Sequence, residues 1–369
     1  MSCLSCRTMQ VIFLKILSSS AAIVATFMTL STLLMMNLLN SSPHQHQLGD
    51  YHDHSSRDRS SHYTSSSSRQ IKTVPHLEEH TPSAFDSLTV TVWNPRDHRE
   101  VFVPSSTCKP NLPLLILVAS APEHYERRKA IRETWARDWI DPNGTEWRTV
   151  FMIGQTNNPS LRVSLEKEIS EHGDILMGDY LDSYRNLTLK VQHGMSWALE
   201  TCQPQYLLKT DDDCFVNSKM LTHFLKTSNK QRMRLYAGFA TKNLEVVRDK
   251  RSRWYISRET YRPERFPPYA SGTGYVLSLD VLQAMVGAAR YIQPFAAEDA
   301  YTGLLARCTD TPLLDSARFA LNNVNWRLCN YLFLLVVHGV TPEQQILGLR
   351  NSVESHTKCN GQPEATDWN

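Results

Sequence analysis

The run Leu112-Pro113-Leu114-Leu115-Ile116-Leu117-Val118 constrains the fold more than any other part of this chain. Successive side chains in a strand point to opposite faces, so an unbroken apolar run must be covered on both. That is the condition of a strand in a parallel sheet flanked by helices. Thr149-Val150-Phe151-Met152-Ile153-Gly154 repeats the pattern with a glycine stop, and Asp174-Ile175-Leu176 and Tyr206-Leu207-Leu208-Lys209 supply two further strands. Between them lie a charged helical pattern over 123–139, an amphipathic one over 160–171, and Leu187, Val191 and Ala198 at helical spacing. The alternation predicts an α/β fold with a mainly parallel sheet. Leu88 to Val92 alternates as a half-buried strand would, so the folded domain is expected over 86–369, with no internal repeat.

Upstream of that domain, residues 16–39 contain no charged side chain, which is long enough for a membrane-crossing helix. The run ends in Asn37-Leu38-Leu39-Asn40, without the small residues of a signal-peptidase site, so an uncleaved anchor is expected. Arg7 and Lys15 precede it without acids, which places residues 1–15 in the cytosol and the rest in the lumen. Cys3 and Cys6 are either palmitoylation sites or reduced thiols. Residues 40–85 are rich in Ser and His and read as a flexible lumenal stem.

The 369 residues hold Lys+Arg 39 against Asp+Glu 37, a balance that gives no electrostatic reason to expect nucleic acid. Six of the eight cysteines follow residue 100, widely spaced and without a C-x-x-C pair among them, which speaks against zinc; an even number in a lumenal compartment predicts disulfides, buried free thiols being the alternative. Their pairing is open.

The strand ending at Lys209 runs into Thr210-Asp211-Asp212-Asp213-Cys214-Phe215-Val216-Asn217. Adjacent carboxylates repel, and a cation relieves the repulsion. In an extended segment Asp211 and Asp213 share one face, and oxygen ligands at the C-terminal edge of a buried strand suit Mg²⁺ or Mn²⁺ together with a diphosphate. A solvated acidic turn is the alternative.

These residues resemble the metal-binding block of the β-1,3-glycosyltransferases, glycosyltransferase family 31. Five further motifs follow the family's order: Arg128 to Trp135 (R-x-x-I-R-x-T-W), Phe151 to Gly154, Asp179 to Lys190 (D-F-x-D-x-Y-x-N-L-T-x-K), Phe266 to Val276 (Y-P-x-Y-x-S-G-x-G-Y-V) and Glu298 to Gly303 (E-D-V-x-x-G). The likeness spans about Cys108 to Cys359. Ala136, Phe266 and Ala300 depart from the usual Gly, Tyr and Val, and 307–325 matches poorly. The family implies a GT-A fold, a Rossmann-like nucleotide half joined to an acceptor half. It also implies an inverting transfer of a sugar from a UDP-sugar to a glycan acceptor, forming a β-linkage typically to O3, with Mn²⁺ or Mg²⁺ as cofactor. Such enzymes are Golgi type II membrane proteins, and many self-associate.

By this resemblance Asp299 is the general base and Glu298 its support; otherwise the pair caps the following helix. Asp211 and Asp213 are the expected metal and diphosphate contacts, with Asp212 on the ribose or donor sugar. Arg128 and Arg132, four apart on one helix face, either clamp the nucleotide or pair with Glu126 and Glu133 in solvent. Ser120 is a uridine-side candidate. Gly272 and Gly274 either admit a ligand to the backbone or form a turn. Trp254 and Tyr255 either stack on a sugar or pack in the core. His338 resembles a late histidine that completes GT-A metal sites; a core histidine is the alternative. Asn143 and Asn186 head glycosylation sequons, the second with a possible structural task instead. Galactose from UDP-galactose is the first expectation for the donor, N-acetylglucosamine and N-acetylgalactosamine being alternatives on glycoprotein or glycolipid acceptors. A non-catalytic Golgi protein of the same fold and a metal-dependent hydrolase are the competing classes.

Overall fold

The computed structural model describes residues 100–363 apart from 106–107, 109–110, 137–138, 141–145 and 325–326. The tail, anchor, stem, the 88–92 strand and the Asn143 sequon lie outside the described residues. No helix of the described residues is long and apolar enough to cross a membrane.

The first half of the domain runs β1 (Glu100–Phe102), β2 (Leu114–Ala119), α1 (Tyr125–Glu133), β3 (Trp139–Ile140), β4 (Glu146–Gln155), α2 (Pro159–His172), β5 (Ile175–Leu181), α3 (Leu187–Trp197) and β6 (Tyr206–Asp211). The second half comprises β7 (Cys214–Val216), α4 (Ser218–Ser228), β8 (Tyr236–Thr241), β9 (Tyr269–Ser278), α5 (Leu279–Ala289), α6 (Glu298–Cys308), β10 (Leu314–Asp315), β11 (Phe319–Ala320), β12 (Val336–His338) and α7 (Pro342–Lys358).

One sheet has the order β1-β5-β4-β2-β6-β9-β8-β10, with β3 on β4. The four strands read as buried are its parallel centre, β5-β4-β2-β6. β9 and β8 then run antiparallel, so the sheet is mixed rather than mainly parallel. Chain order reverses between β2 and β6, and Ala119 at the end of β2 lies level with Asp211 at the end of β6. Such a reversal opens a crevice beyond the carboxyl ends of the strands.

Every residue of β2 is buried. Leu115 and Leu117 join one core with Val191 and Met195 of α3, Leu282 of α5 and Tyr301 of α6. Leu114, Ile116 and Val118 join the other with Ile131 of α1, Leu165 of α2 and Leu221 of α4. Helices therefore cover both faces, as the continuous apolar runs require. Each fully buried Leu contributes about 1.5–3 kcal/mol.

Local chemistry sets the element ends. Asn158 caps α2 by accepting from the amides of Ser160 and Leu161, and Gly173 closes it at φ 62°. α1 stops at Glu133, short of the expected 139: the Thr134 hydroxyl bonds back to the Ala130 carbonyl and the Trp135 indole turns inward to Gln345 of α7. The β4 pairing shifts register at Gly154, where a Cβ would lie 2.8 Å from the Asp182 nitrogen and the Tyr180 oxygen.

A second sheet, β11-β12-β7, frames the acidic turn. α7 closes over it: Gln345 accepts from Trp135 and donates to the Cys214 carbonyl, while a Cβ on Gly348 would sit 2.7 Å from the Phe215 ring. Disulfides join Cys108 to Cys202 and Cys329 to Cys359. Cys214 is a buried thiol.

Candidate active site

β6 delivers Asp211 to the crevice; Asp212 and Asp213 form the turn into β7. Because the backbone turns rather than extends, the three carboxylates face three different sets of partners. Asp211 accepts from Lys209 Nζ at 2.8 Å. Asp212, on the β2 side, accepts from Ser120 Oγ (2.7 Å) and Arg127 (2.8 Å) and pairs with His124 Nδ1 (2.7 Å). Asp213 lies 3.6 Å from Arg127 and 3.7 Å from His338 Nε2. Burial works against the Asp212 charge, but its bonds from His124, Ser120 and Arg127 outweigh that and hold its pKa low. The same bond to Asp212 raises the His124 pKa.

Lys209 is fully buried and joins the two acidic motifs: Nζ reaches Asp211, the Gly272 carbonyl (2.7 Å) and Glu298 Oε2 (3.1 Å). Burial disfavours its charge, yet Asp211 and Glu298 more than compensate and raise its pKa. Glu298 is buried too, and its Oε1 accepts from Tyr275 (2.6 Å) and Thr302 (3.1 Å). Asp299 is held by the amides of Gly272 (3.2 Å) and Ala300 (2.8 Å) at the N-terminus of α6. Burial first, and the Glu298 charge second, push its carboxyl up to about 6. A base in that range is ionised at neutral pH and still able to take a proton. α6 can approach because Gly303 has no Cβ, which would otherwise meet Tyr269 at 2.3 Å.

The donor set suits a divalent ion. His338 Nδ1 is bonded to the Leu321 carbonyl at 2.8 Å, which leaves the Nε2 lone pair facing Asp213. Among the described residues no group of three or more His, Cys, Asp or Glu side chains converges as a metal cage. Asp213 and His338 would therefore form the protein side of a site that a diphosphate and water complete.

Several expectations are corrected. Arg128 neither clamps a nucleotide nor faces solvent: it is 0% exposed and forks onto Glu168 (2.8 Å, twice), with further bonds to Ser120 and the carbonyls of Ala121 and Pro122. Arg132 is tied to Glu168 and to both oxygens of Asp174. These arginines weld α1 to α2 and β5; Arg127 is the one that reaches the crevice. Consecutive helix residues lie about 100° apart, so Arg127 and Arg128 cannot share a face. The Ser120 hydroxyl and the Asp212 carboxylate are buried and bonded to each other at 2.7 Å. A Cβ on Gly274 would lie 3.2 Å from Val336, and one on Gly272 would lie 3.5 Å from Asp299 and 3.6 Å from Lys209. Asn186 donates to the Leu181 carbonyl, and Thr188 of its sequon is buried with its hydroxyl on the Phe295 carbonyl, which supports a structural task. His124, Arg127 and the Tyr275–Glu298 bond were not legible as site features in the sequence.

The galactosyltransferase family model matches residues 126–316. Beta-1,3-galactosyltransferase 1 of Homo sapiens, and that of Mus musculus, are 34% identical over 263 residues, 70% of this chain and 80% of theirs. Beta-1,3-galactosyltransferase 5 of Pan paniscus is 31% identical over 252 residues, 67% of this chain and 83% of its own. A solved galactosyltransferase with donor and acceptor sugar analogues gives a TM-score of 0.32 at 10% identity, covering 68% of this chain and 98% of its own, a likeness too distant to carry weight. The chain belongs to the galactosyltransferase family and is a hexosyltransferase.

Proposed function

We propose that this hexosyltransferase is an inverting β-1,3-galactosyltransferase that moves galactose from UDP-galactose to O3 of an acceptor glycan on glycoprotein or glycolipid. The observation that carries the reading is the Asp299 carboxyl, joined through Glu298 and Lys209 to Asp211 across the crevice. Asp299 takes the proton of the acceptor hydroxyl as its oxygen attacks the anomeric carbon. The bond from that carbon to the diphosphate breaks on the opposite face, and UDP leaves with the electron pair. Glu298, with its oxygens on Tyr275, Thr302 and Lys209, positions the base rather than replacing it. Arg127 and His124 would set positive charge against the donor phosphates, and Asp211, with one oxygen on Lys209, would have its other oxygen for the donor. Asp213 and His338 would hold Mn²⁺ or Mg²⁺, which when bound supplies charge against the leaving diphosphate.

The setting belongs to the same proposal: a Golgi membrane, with residues 16–39 as the type II anchor, 40–85 as the stem, the catalytic domain lumenal and self-association between copies. The two disulfides support an oxidising compartment. A soluble form beginning near residue 80 tests the chemistry through UDP release from UDP-galactose, UDP-N-acetylglucosamine and UDP-N-acetylgalactosamine with Mn²⁺ and a mixed acceptor panel. Acceptor-dependent release with UDP-galactose alone is expected. Release with a different donor would overturn the galactose assignment, and no UDP binding by folded protein would overturn the enzymatic one.

A further inference from the structure

Two exposed rings and one arginine border the reaction centre without a part in the donor site. Tyr184 lies in the short helical turn Tyr184–Asn186 after β5; Arg253 and Trp254 lie in the stretch between β8 and β9. The Arg253 guanidinium carbon sits 4.4 Å from the Trp254 ring centre and 5.3 Å from that of Tyr184. Trp254 is 46% exposed and Tyr184 40%. Burial first, and the charges of Asp299 and Asp211 after it, raise the Tyr184 hydroxyl pKa, so the ring lies within electrostatic reach of the base and of Asp211. Each ring carries Arg253 over one face, and the part of the ring surface left exposed is apolar area against which a sugar can pack.

Arg253 differs from its neighbours on the same stretch. Arg251 is paired with Asp249, Arg258 with Glu264 and Arg265 with Glu245. Among the described residues no carboxylate pairs with Arg253. A guanidinium has five N–H donors in a planar fork, so one held over aromatic rings without a carboxylate partner still has donors to offer a carboxylate or sulfate. The surrounding stretch 248–265 carries seven Lys and Arg against three Asp and Glu, so the local field favours an anion.

We propose that Arg253, held over Trp254 and Tyr184, is a specificity-determining residue that selects acceptor glycans carrying a carboxylate or sulfate ester next to the sugar that receives the transfer. The inference rests on the donor reading above and extends it to the acceptor.

The test uses the soluble lumenal form with matched acceptors: a neutral oligosaccharide, its uronic-acid counterpart and its sulfate ester. kcat and KM are measured for each with wild type, Arg253→Ala and Arg253→Lys. Wild type is expected to show a lower KM for at least one acidic acceptor, and the preferred member of the pair identifies the anion. Arg253→Ala should raise that KM about ten- to a hundredfold, with the neutral acceptor and the UDP-sugar KM changed less than about twofold. Arg253→Lys should recover part of the loss, since it keeps the charge without the fork. Equal use of neutral and acidic acceptors by wild type would overturn the proposal. So would a rise in the UDP-sugar KM of Arg253→Ala, which would move the residue to the donor side. Failure of wild type to bind UDP-sugar with Mn²⁺ would instead remove the donor reading, and this inference with it.

Discussion

Replacing Asp299 by Asn should make the protein more stable and nearly inactive. The carboxyl rises from an ordinary 3.8 to about 6 in the folded chain, chiefly through burial. That displacement corresponds to about 3 kcal/mol of folding free energy lost when the group is ionised. The penalty is complete above pH 6, where the folded group is charged. It shrinks by about 1.4 kcal/mol per pH unit as the pH falls from 6 toward 3.8, because the folded state protonates before the unfolded one. Asn keeps one carbonyl oxygen for the two amides that Asp299 serves, from Gly272 and Ala300, so one loses its acceptor at a cost of about 1–3 kcal/mol. The net gain at pH 7.5 is therefore about 1 kcal/mol, or roughly 2–4 °C in Tm for a domain of this size. Thermal unfolding at pH 6 and pH 5 should show the variant's Tm advantage over wild type fall by roughly 3–6 °C. In the same preparation kcat should drop about 10²–10⁴-fold for loss of the base. A Tm difference indifferent to pH, or an Asn variant with wild-type turnover, would refute the reasoning.

Adjacent arginines should behave differently. Arg128→Ala leaves Glu168 without its forked partner and should cost about 3–5 kcal/mol in denaturant unfolding; Arg127→Ala, which leaves the buried Asp212 its bonds from Ser120 and His124, should cost only about 1–3 kcal/mol while raising the UDP-sugar KM. Asp213→Ala and His338→Ala should each abolish the Mn²⁺ dependence of UDP binding measured by calorimetry, with far-ultraviolet dichroism unchanged. Cys108→Ser opens a bridge across 94 residues and should lower stability by about 2–5 kcal/mol; an unchanged midpoint would mean that the bridge does not form.

The parallel centre was legible because burial on both faces leaves a local trace: β2, β4, β5 and β6 each carry an unbroken apolar core. β9 left a shorter trace, the buried run Tyr275-Val276-Leu277 at its end. Its Ser271-Gly272-Thr273-Gly274 segment reads locally as a glycine turn, and it is a strand only because β6 and β8 pair with it. The acidic triad and the Glu298-Asp299 pair were visible as clusters. Their division of labour was not, since Lys209 meets Glu298 across 89 positions of chain and Asp212 meets Arg127 across 85. Arg128 shows the same limit: its partner, Glu168, lies 40 residues away on α2 and nothing in the local charge pattern points to it.

Helix α7 makes the acidic turn depend on a segment far along the chain. Gln345 bridges Trp135 to Cys214, Gly348 lies against Phe215, and the Val340 amide donates to the Asp213 carbonyl. The turn carrying Asp212 and Asp213 is thus braced by residues translated more than a hundred positions later, and the far end of α7 is pinned by Cys359 to Cys329. The parallel strands β2, β4, β5 and β6 pair with one another without α7, whereas the acidic turn depends on it. Loss of α7 would remove the bonds from Gln345 and Val340 that hold this turn, while leaving the β2-β4-β5-β6 pairings their own hydrogen bonds.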